Sequence, residues 1–290
     1  MVCKDRHGNI ISNNEGQDEF LKKLYNKRIG RMLIKVLINP SISKLGGLLL
    51  NSRLSKLGIK PFITSNSINM DDYEDKNFKS YNDFFMRKIK EDKRKIENDS
   101  DILISPCDSK LMVYNISPKS QFTIKNTVYT MESLVKNEAI AKEYENGQLL
   151  LFRLTVDDYH RYCYIDNGIK SKNYRIEGLF HTVNPIANDH YPIYKENTRE
   201  YSVLQSENFG NVLMMEVGAL MVGKIVNYHE NLEVKKGQEK GRFEFGGSTV
   251  IICLKEGQAI IDEDILNNTF DGIETKVQYG EKIGRKMERK

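Results

Sequence analysis

Paired cysteines are missing from this sequence. Cys3, Cys107, Cys163 and Cys253 stand singly, no CxxC occurs, and the five histidines show no zinc-ligand spacing. A disulfide framework and a zinc module are therefore excluded, and reduced thiols in a cytosolic compartment are expected. Long apolar runs are missing too. The strongest, residues 213–223, is too short to span a bilayer and carries Glu216 in its middle. Residues 1–30 are polar from the start and lack the apolar centre of a signal peptide, so neither an integral membrane protein nor a secreted one is expected. No glycine-rich phosphate loop and no repeat of fixed period is present. An excess of one charge sign is also absent: 44 Lys+Arg against 40 Asp+Glu leave +4, too little to argue for nucleic acid.

What is present is an ordinary globular composition, 39% hydrophobic and 29% charged over 290 residues. That length suits one large domain or two small ones. Residues 1–17 are polar and read as a flexible arm or a short hairpin. From Asp18 the pattern changes: Leu21, Tyr25, Ile29, Met32, Leu33 and Val36 recur at helical spacing, with Lys23, Lys27, Arg31 and Lys35 on the other side, until Pro40. A second apolar and basic stretch covers residues 42–57. Residues 20–60 hold ten Lys/Arg and no Asp/Glu, so the small global charge conceals a strongly basic segment. Such a segment is either a helical pair packed on the domain with a solvated basic face, or an interfacial helix meeting anionic lipid. In the second case each basic residue near the surface adds about 1 kcal/mol.

Residues 81–90 are expected to form a helix. From Ile102 the chain becomes β-rich, with short runs at residues 149–154, 162–165, 212–217 and 249–254. Asp166-Asn167-Gly168 and Lys236-Gly237 are turn signals between them. Helices first and then a mainly antiparallel β core make an α+β fold, with residues 1–60 as arm and membrane-facing helices and 61–290 as the main domain.

Three places combine reactive side chains with unusual local backbone. They are Ser105-Pro106-Cys107-Asp108-Ser109-Lys110, Asp157-Asp158-Tyr159-His160-Arg161-Tyr162, and Phe243-Glu244-Phe245-Gly246-Gly247-Ser248-Thr249. Each has a bland explanation: a turn aspartate, a satisfied half-buried histidine, and a β-bulge. Together, Asp108, His160 and Ser248 supply the parts of an acid–base–hydroxyl arrangement. The GxSxG elbow of hydrolases is absent. A serine after a glycine pair within a β pattern suits another reaction, because glycine leaves its carbonyl unshielded and tolerates distortion. Attack of Ser248 Oγ on the Gly247 carbonyl would turn the amide into an ester. Elimination and hydrolysis would then leave a pyruvoyl group at position 248.

In these places the sequence resembles the phosphatidylserine decarboxylases, over roughly residues 60–260. The resemblance is carried by Phe84-Phe85-Met86-Arg87, Ser105-Pro106-Cys107-Asp108, Asp158-Tyr159-His160-Arg161, and His181-Thr182-Val183-Asn184-Pro185. It continues through Asn197-Thr198-Arg199-Glu200, Val217-Gly218-Ala219 with Val222-Gly223, and residues 236–241 leading into Phe245-Gly246-Gly247-Ser248-Thr249. It implies autocatalytic cleavage between Gly247 and Ser248 into a β chain, residues 1–247, and an α chain, residues 248–290. Asp108, His160 and Ser248 would be the maturation residues. A covalent pyruvoyl cofactor made from Ser248 would form a Schiff base with phosphatidylserine and yield phosphatidylethanolamine. His160, alone or assisted by Cys163 or water, would donate the proton, no metal would be needed, and the paired chains would sit peripherally on the cytoplasmic face of an anionic membrane. Two positions depart from the family pattern: Ser109 replaces a glycine, and Cys163 stands where many members carry a second histidine. A catalytically silent lipid-binding homologue and a pyruvoyl decarboxylase of a soluble amino acid are the alternatives.

Overall fold

The structure is a computed structural model that describes residues 2–11, 46–74, 77–124, 127–183, 191–219, 224–244 and 248–288. The expected helix over residues 18–36, the Gly246-Gly247 pair, Asn184-Pro185 and Val222-Gly223 lie outside them.

The chain is α+β with a mainly antiparallel core. Among the described residues, eleven strands form one sheet. Its centre is the strand Ser248–Leu254, paired antiparallel with Gly210–Val217 on one side and Gln148–Leu154 on the other. Ser109–Asn115 follows beyond Gln148–Leu154, and then Glu274–Val277. Every residue of Ser248–Leu254 is buried, which explains why this strand reads as an unbroken apolar run rather than an alternation. The alternation persists in where the side chains go. Val250, Ile252 and Leu254 join one hydrophobic cluster, while Ile251 and Cys253 join another across the sheet. Each fully buried aliphatic side chain contributes roughly 1.5–3 kcal/mol, so the strand is pinned from both faces.

A second, three-stranded sheet of Lys224–Asn227, Glu239–Glu244 and Arg161–Cys163 contributes Ile225, Phe243 and Tyr162 to the first of these clusters. The Gly237 turn before its middle strand is closed by Gln238 N donating to Lys235 O at 3.0 Å, with the Gly237 φ at 75°, and Gly237 N ties the turn to Tyr164 O at 2.9 Å. Only glycine enters that region without steric cost, so the turn signal read in the sequence has this physical content.

The amino-terminal residues form the hairpin alternative. Cys3–Lys4 pairs antiparallel with Ile10–Ile11 and parallel with Glu274–Val277. Arg6 extends the attachment with ion pairs to Asp262 and Asp264. Residues 46–50 are helical and precede the helix Ile59–Ser65. Ile59 and Phe62 pack against Phe84.

The helix expected over residues 81–90 is shorter, Tyr81–Phe85. Ser80 caps it by accepting from Asp83 N at 3.1 Å. Its end has a long-range cause. Arg161 donates through Nε and Nη2 to the Met86 carbonyl at 3.1 and 2.9 Å, taking the acceptor that a further helical turn would use. Lys90 N bonds instead to Asp72 O at 2.9 Å, and Ile89 bridges to Tyr73.

Candidate active site

Ser248 is the first residue of the central strand, and His160 immediately precedes the strand Arg161–Cys163 of the covering sheet. The two are 88 residues apart in sequence, yet His160 Nδ1 lies 3.2 Å from Ser248 Oγ. Both side chains are buried. The sheet pairing brings them together. Phe243 N donates to His160 O at 2.9 Å, so the histidine backbone is tied to the strand that leads toward Ser248.

The other ring nitrogen fixes the chemistry of the first. His160 Nε2 lies 2.9 Å from the Thr155 carbonyl oxygen. A carbonyl only accepts, so Nε2 carries the proton and Nδ1 presents a lone pair toward Ser248. The Ser248 hydroxyl then donates to Nδ1. Phe85 packs on the imidazole with ring centroids 4.1 Å apart. Burial, and then the nearby Arg87 guanidinium, push the His160 pKa down to about 3, so the ring is neutral over the physiological range. A neutral buried imidazole against a hydroxyl is a general base in its working protonation state.

Asp108 is placed elsewhere. Its carboxylate accepts from Arg94 Nε at 2.8 Å and Nη2 at 2.5 Å, and from Tyr279 N at 2.8 Å. Thus Asp108 and His160 share no hydrogen bond, and His160 and Ser248 are the pair that the fold joins directly. The Asp108 turn is further held by Cys163 N donating to Pro106 O at 2.9 Å and Gly280 N donating to Ser105 O at 2.9 Å. It opens the strand Ser109–Asn115, whose second residue, Lys110, reaches Asp158 at 2.7 Å.

Cys163 is buried, its Sγ 4.0 Å from Ser105 O, and burial pushes its thiol up to about 12. It is a protonated thiol, not a thiolate. Ser109 is likewise buried, its hydroxyl donating to Cys107 O at 3.5 Å. Both departures from the family pattern are thus absorbed as neutral interior groups.

The family model for phosphatidylserine decarboxylase matches residues 81–285. The "Phosphatidylserine decarboxylase proenzyme 2" of Clostridium acetobutylicum is 51% identical over 265 residues, covering 91% of each chain. The "Phosphatidylserine decarboxylase proenzyme" of Clostridium botulinum strain Langeland is 44% identical over 275 residues, and that of Clostridium tetani 42% over 275, each covering 93% of both chains. The chain belongs to the phosphatidylserine decarboxylase family.

Several family motifs take on a structural meaning here. In Phe84-Phe85-Met86-Arg87, Phe85 covers the His160 ring. Arg87 sits between Tyr73 and Phe84, 4.5 and 4.8 Å from their ring centroids, and donates to Asp157 O at 3.1 Å. Asn197 holds two loops together, donating to the carbonyls of His181 and Gly218 at 2.8 Å each. Glu216 and Lys240 are a fully buried ion pair at 2.8 Å, bridged by Asn227. This pair ties the strand beside Ser248–Leu254 to the strand leading toward the Gly-Gly-Ser segment.

Sequence reasoning missed Thr155, whose backbone carbonyl orients the histidine, and Lys110, which was quoted in a motif without a role. For Lys110 a signal existed: a lysine at the head of the apolar strand Ser109–Asn115 needs a buried anion.

Proposed function

We propose that this chain is a phosphatidylserine decarboxylase proenzyme that cuts itself between Gly247 and Ser248 and then makes phosphatidylethanolamine. The observation that carries the proposal is the 3.2 Å approach of His160 Nδ1 to Ser248 Oγ at the head of the buried central strand.

In the first step the Ser248 Oγ–H proton passes to His160 Nδ1 while Oγ bonds to the Gly247 carbonyl carbon. The C–N bond then breaks, the amine of residue 248 takes the proton back, and an ester joins the two segments. Loss of the Ser248 Cα proton expels the Gly247 carboxylate and leaves dehydroalanine. One water then replaces its nitrogen, releasing ammonia and leaving the pyruvoyl group. Ser248 suits this origin: its hydroxyl is buried beside a neutral base, where competing water is excluded. Asp108 belongs to this reading as the anchor of the turn from which Lys110 departs. The pyruvoyl group supplies an electrophilic carbonyl for the substrate amine and an electron sink when carbon dioxide departs. His160, beside position 248, is the group proposed to return to the decarboxylated carbon a proton that its Nδ1, bare in the resting ring, has first taken up.

The β chain would be residues 1–247 and the α chain 248–290, held as a heterodimer because Ser248–Leu254 and Glu274–Val277 are integral to the main sheet. We assign residues 1–60 to contact with the cytoplasmic face of an anionic membrane, as a peripheral attachment, and 61–290 to the self-processing domain. Leu48, Leu49, Leu54 and Leu57 support this, being 66–80% exposed beside the exposed Arg53, Lys56 and Lys60. Among the described residues no helix is long and apolar enough to cross a membrane.

Intact mass tests the proposal. Wild type should give two chains, the smaller beginning with a pyruvoyl group, and should release carbon dioxide from phosphatidylserine vesicles. Ser248→Ala should remain one chain of 33.6 kDa without activity. A wild-type protein that stays whole would overturn both the maturation and the activity.

A further inference from the structure

The carbonyl that fixes the His160 tautomer is itself held from several sides. Residues 155–158 form a turn closed by Asp158 N donating to Thr155 O at 2.9 Å. The Asp158 side chain returns across the same turn, its Oδ2 accepting from Thr155 N at 2.7 Å and Thr155 Oγ1 at 2.9 Å. Lys110 Nζ completes the cluster, donating to Asp158 Oδ2 at 2.7 Å and also to Thr155 Oγ1. Lys110 and Asp158 are both buried. The Thr155 carbonyl oxygen thus accepts from Asp158 N and from His160 Nε2, filling both lone pairs.

Buried charges are kept where their removal would leave a partner unpaired, so this pair resists rearrangement. Burial pushes the Lys110 ammonium down, but Asp158 and Asp157 push it up by more, which keeps it charged. The cluster occupies the place that a carboxylate takes behind the histidine in acid–base–hydroxyl enzymes, but it acts through a peptide carbonyl. The Thr155–Asp158 turn and Lys110 therefore form one rigid backing for the imidazole.

We propose that Lys110 and Asp158 are positioning residues for self-cleavage: they hold the Thr155 carbonyl against His160 Nε2, which keeps the ring in its Nε2–H tautomer with the Nδ1 lone pair on Ser248. The inference rests on the proposed self-cleavage for its kinetic consequence, but the tautomer is a property of the folded chain alone. If the turn loosens, the ring can place its proton on Nδ1, and that form cannot accept from the serine. Asp108 acts earlier in the same chain of contacts, by fixing the turn that opens the Lys110 strand.

Nitrogen NMR of the full-length Ser248→Ala chain, labelled with 15N-histidine, reads the tautomer directly. The His160 signals are identified by their loss in His160→Gln. The parent should show Nε2 protonated and Nδ1 bare. Asp158→Asn should introduce the Nδ1–H form, and with Ser248 restored it should slow cleavage about tenfold if the competent tautomer falls to a tenth. Asp158→Glu keeps the charge facing Lys110 and should stay nearer the parent in both measurements. Nδ1–H in the parent overturns the inference, and that reading needs no substitution in the buried pair, so a variant that fails to fold does not remove the test. Slower cleavage with an unchanged tautomer also overturns it, since that would mark a merely structural role. A wild-type chain that never cleaves overturns the proposed function and leaves the tautomer to decide this inference by itself.

Discussion

Arg153 and Glu274 form a two-point ion pair inside the main sheet, Nε to Oε1 at 2.7 Å and Nη2 to Oε2 at 2.5 Å, and the Gly247–Ser248 bond lies between them in sequence. Burial disfavours the Arg153 charge, but Glu274 more than offsets this, so the Arg153 pKa is raised. After cleavage the same pair would join the two chains. Glu274→Gln leaves a buried guanidinium without its anion and should cost about 3–5 kcal/mol. The measurement is urea unfolding of the uncleaved Ser248→Ala chain, where stability does not depend on protein concentration. Replacing both residues with methionine should restore most of the loss. An unchanged midpoint in Glu274→Gln would show that the pair contributes nothing.

The neutral His160 sets two pH dependences. Its folded pKa of about 3 lies below the ordinary value of 6.5, and burial also lowers His181, to about 4. Between these values and 6.5 the unfolded chain binds protons that the native chain does not. Stability therefore falls as pH falls through that window, by up to about 1.4 kcal/mol per pH unit for each histidine. In the Ser248→Ala background, His160→Gln should flatten the slope of unfolding free energy by up to that amount. Self-cleavage should meanwhile be nearly constant from about pH 8 to about pH 5, because the base stays neutral throughout. A rate dropping tenfold per unit below 6.5 would mean that His160 titrates at its ordinary value.

Cys163→Ala should mature at close to the wild-type rate, since a buried thiol raised to about 12 supplies no base. The lost packing should cost about 1 kcal/mol. His160→Ala should accumulate uncleaved precursor on gels. The reverse pattern would move the base to Cys163.

The pairing of His160 with Ser248 was legible because both residues break a β pattern, one as an imidazole at a strand mouth and one behind two glycines. The central strands were legible as apolar runs: residues 149–154 and 249–254 fall within Gln148–Leu154 and Ser248–Leu254. Their order in the sheet was not, because strand pairing across long separations leaves no local signal. Nor was the second partner of His160. A side-chain pattern suggests a carboxylate, and Asp108 was the candidate, but the contact is the Thr155 carbonyl, which every residue type possesses. The helix over residues 81–90 was read too long for a similar reason. What stops it is Arg161, 75 residues from Met86.

Two exposed leucines test the proposed membrane attachment. Leu54 and Leu57 are 79% and 80% exposed, and Arg53, Lys56 and Lys60 are exposed around them. Apolar side chains so open gain nothing in water, whereas even half-complete burial of two leucines in lipid contributes about 2 kcal/mol, roughly thirtyfold in affinity. The neighbouring cations add attraction that salt screens. Replacing both leucines with glutamine should therefore weaken co-sedimentation with phosphatidylserine vesicles by roughly that factor. Decarboxylation on those vesicles should fall in parallel, while cleavage between Gly247 and Ser248 proceeds, since neither side chain belongs to a buried cluster. Raising salt should release the variant more completely than wild type, because the charges then carry a larger share of its attachment. Unchanged sedimentation at low and high salt would remove this surface from the attachment and place it elsewhere on the molecule.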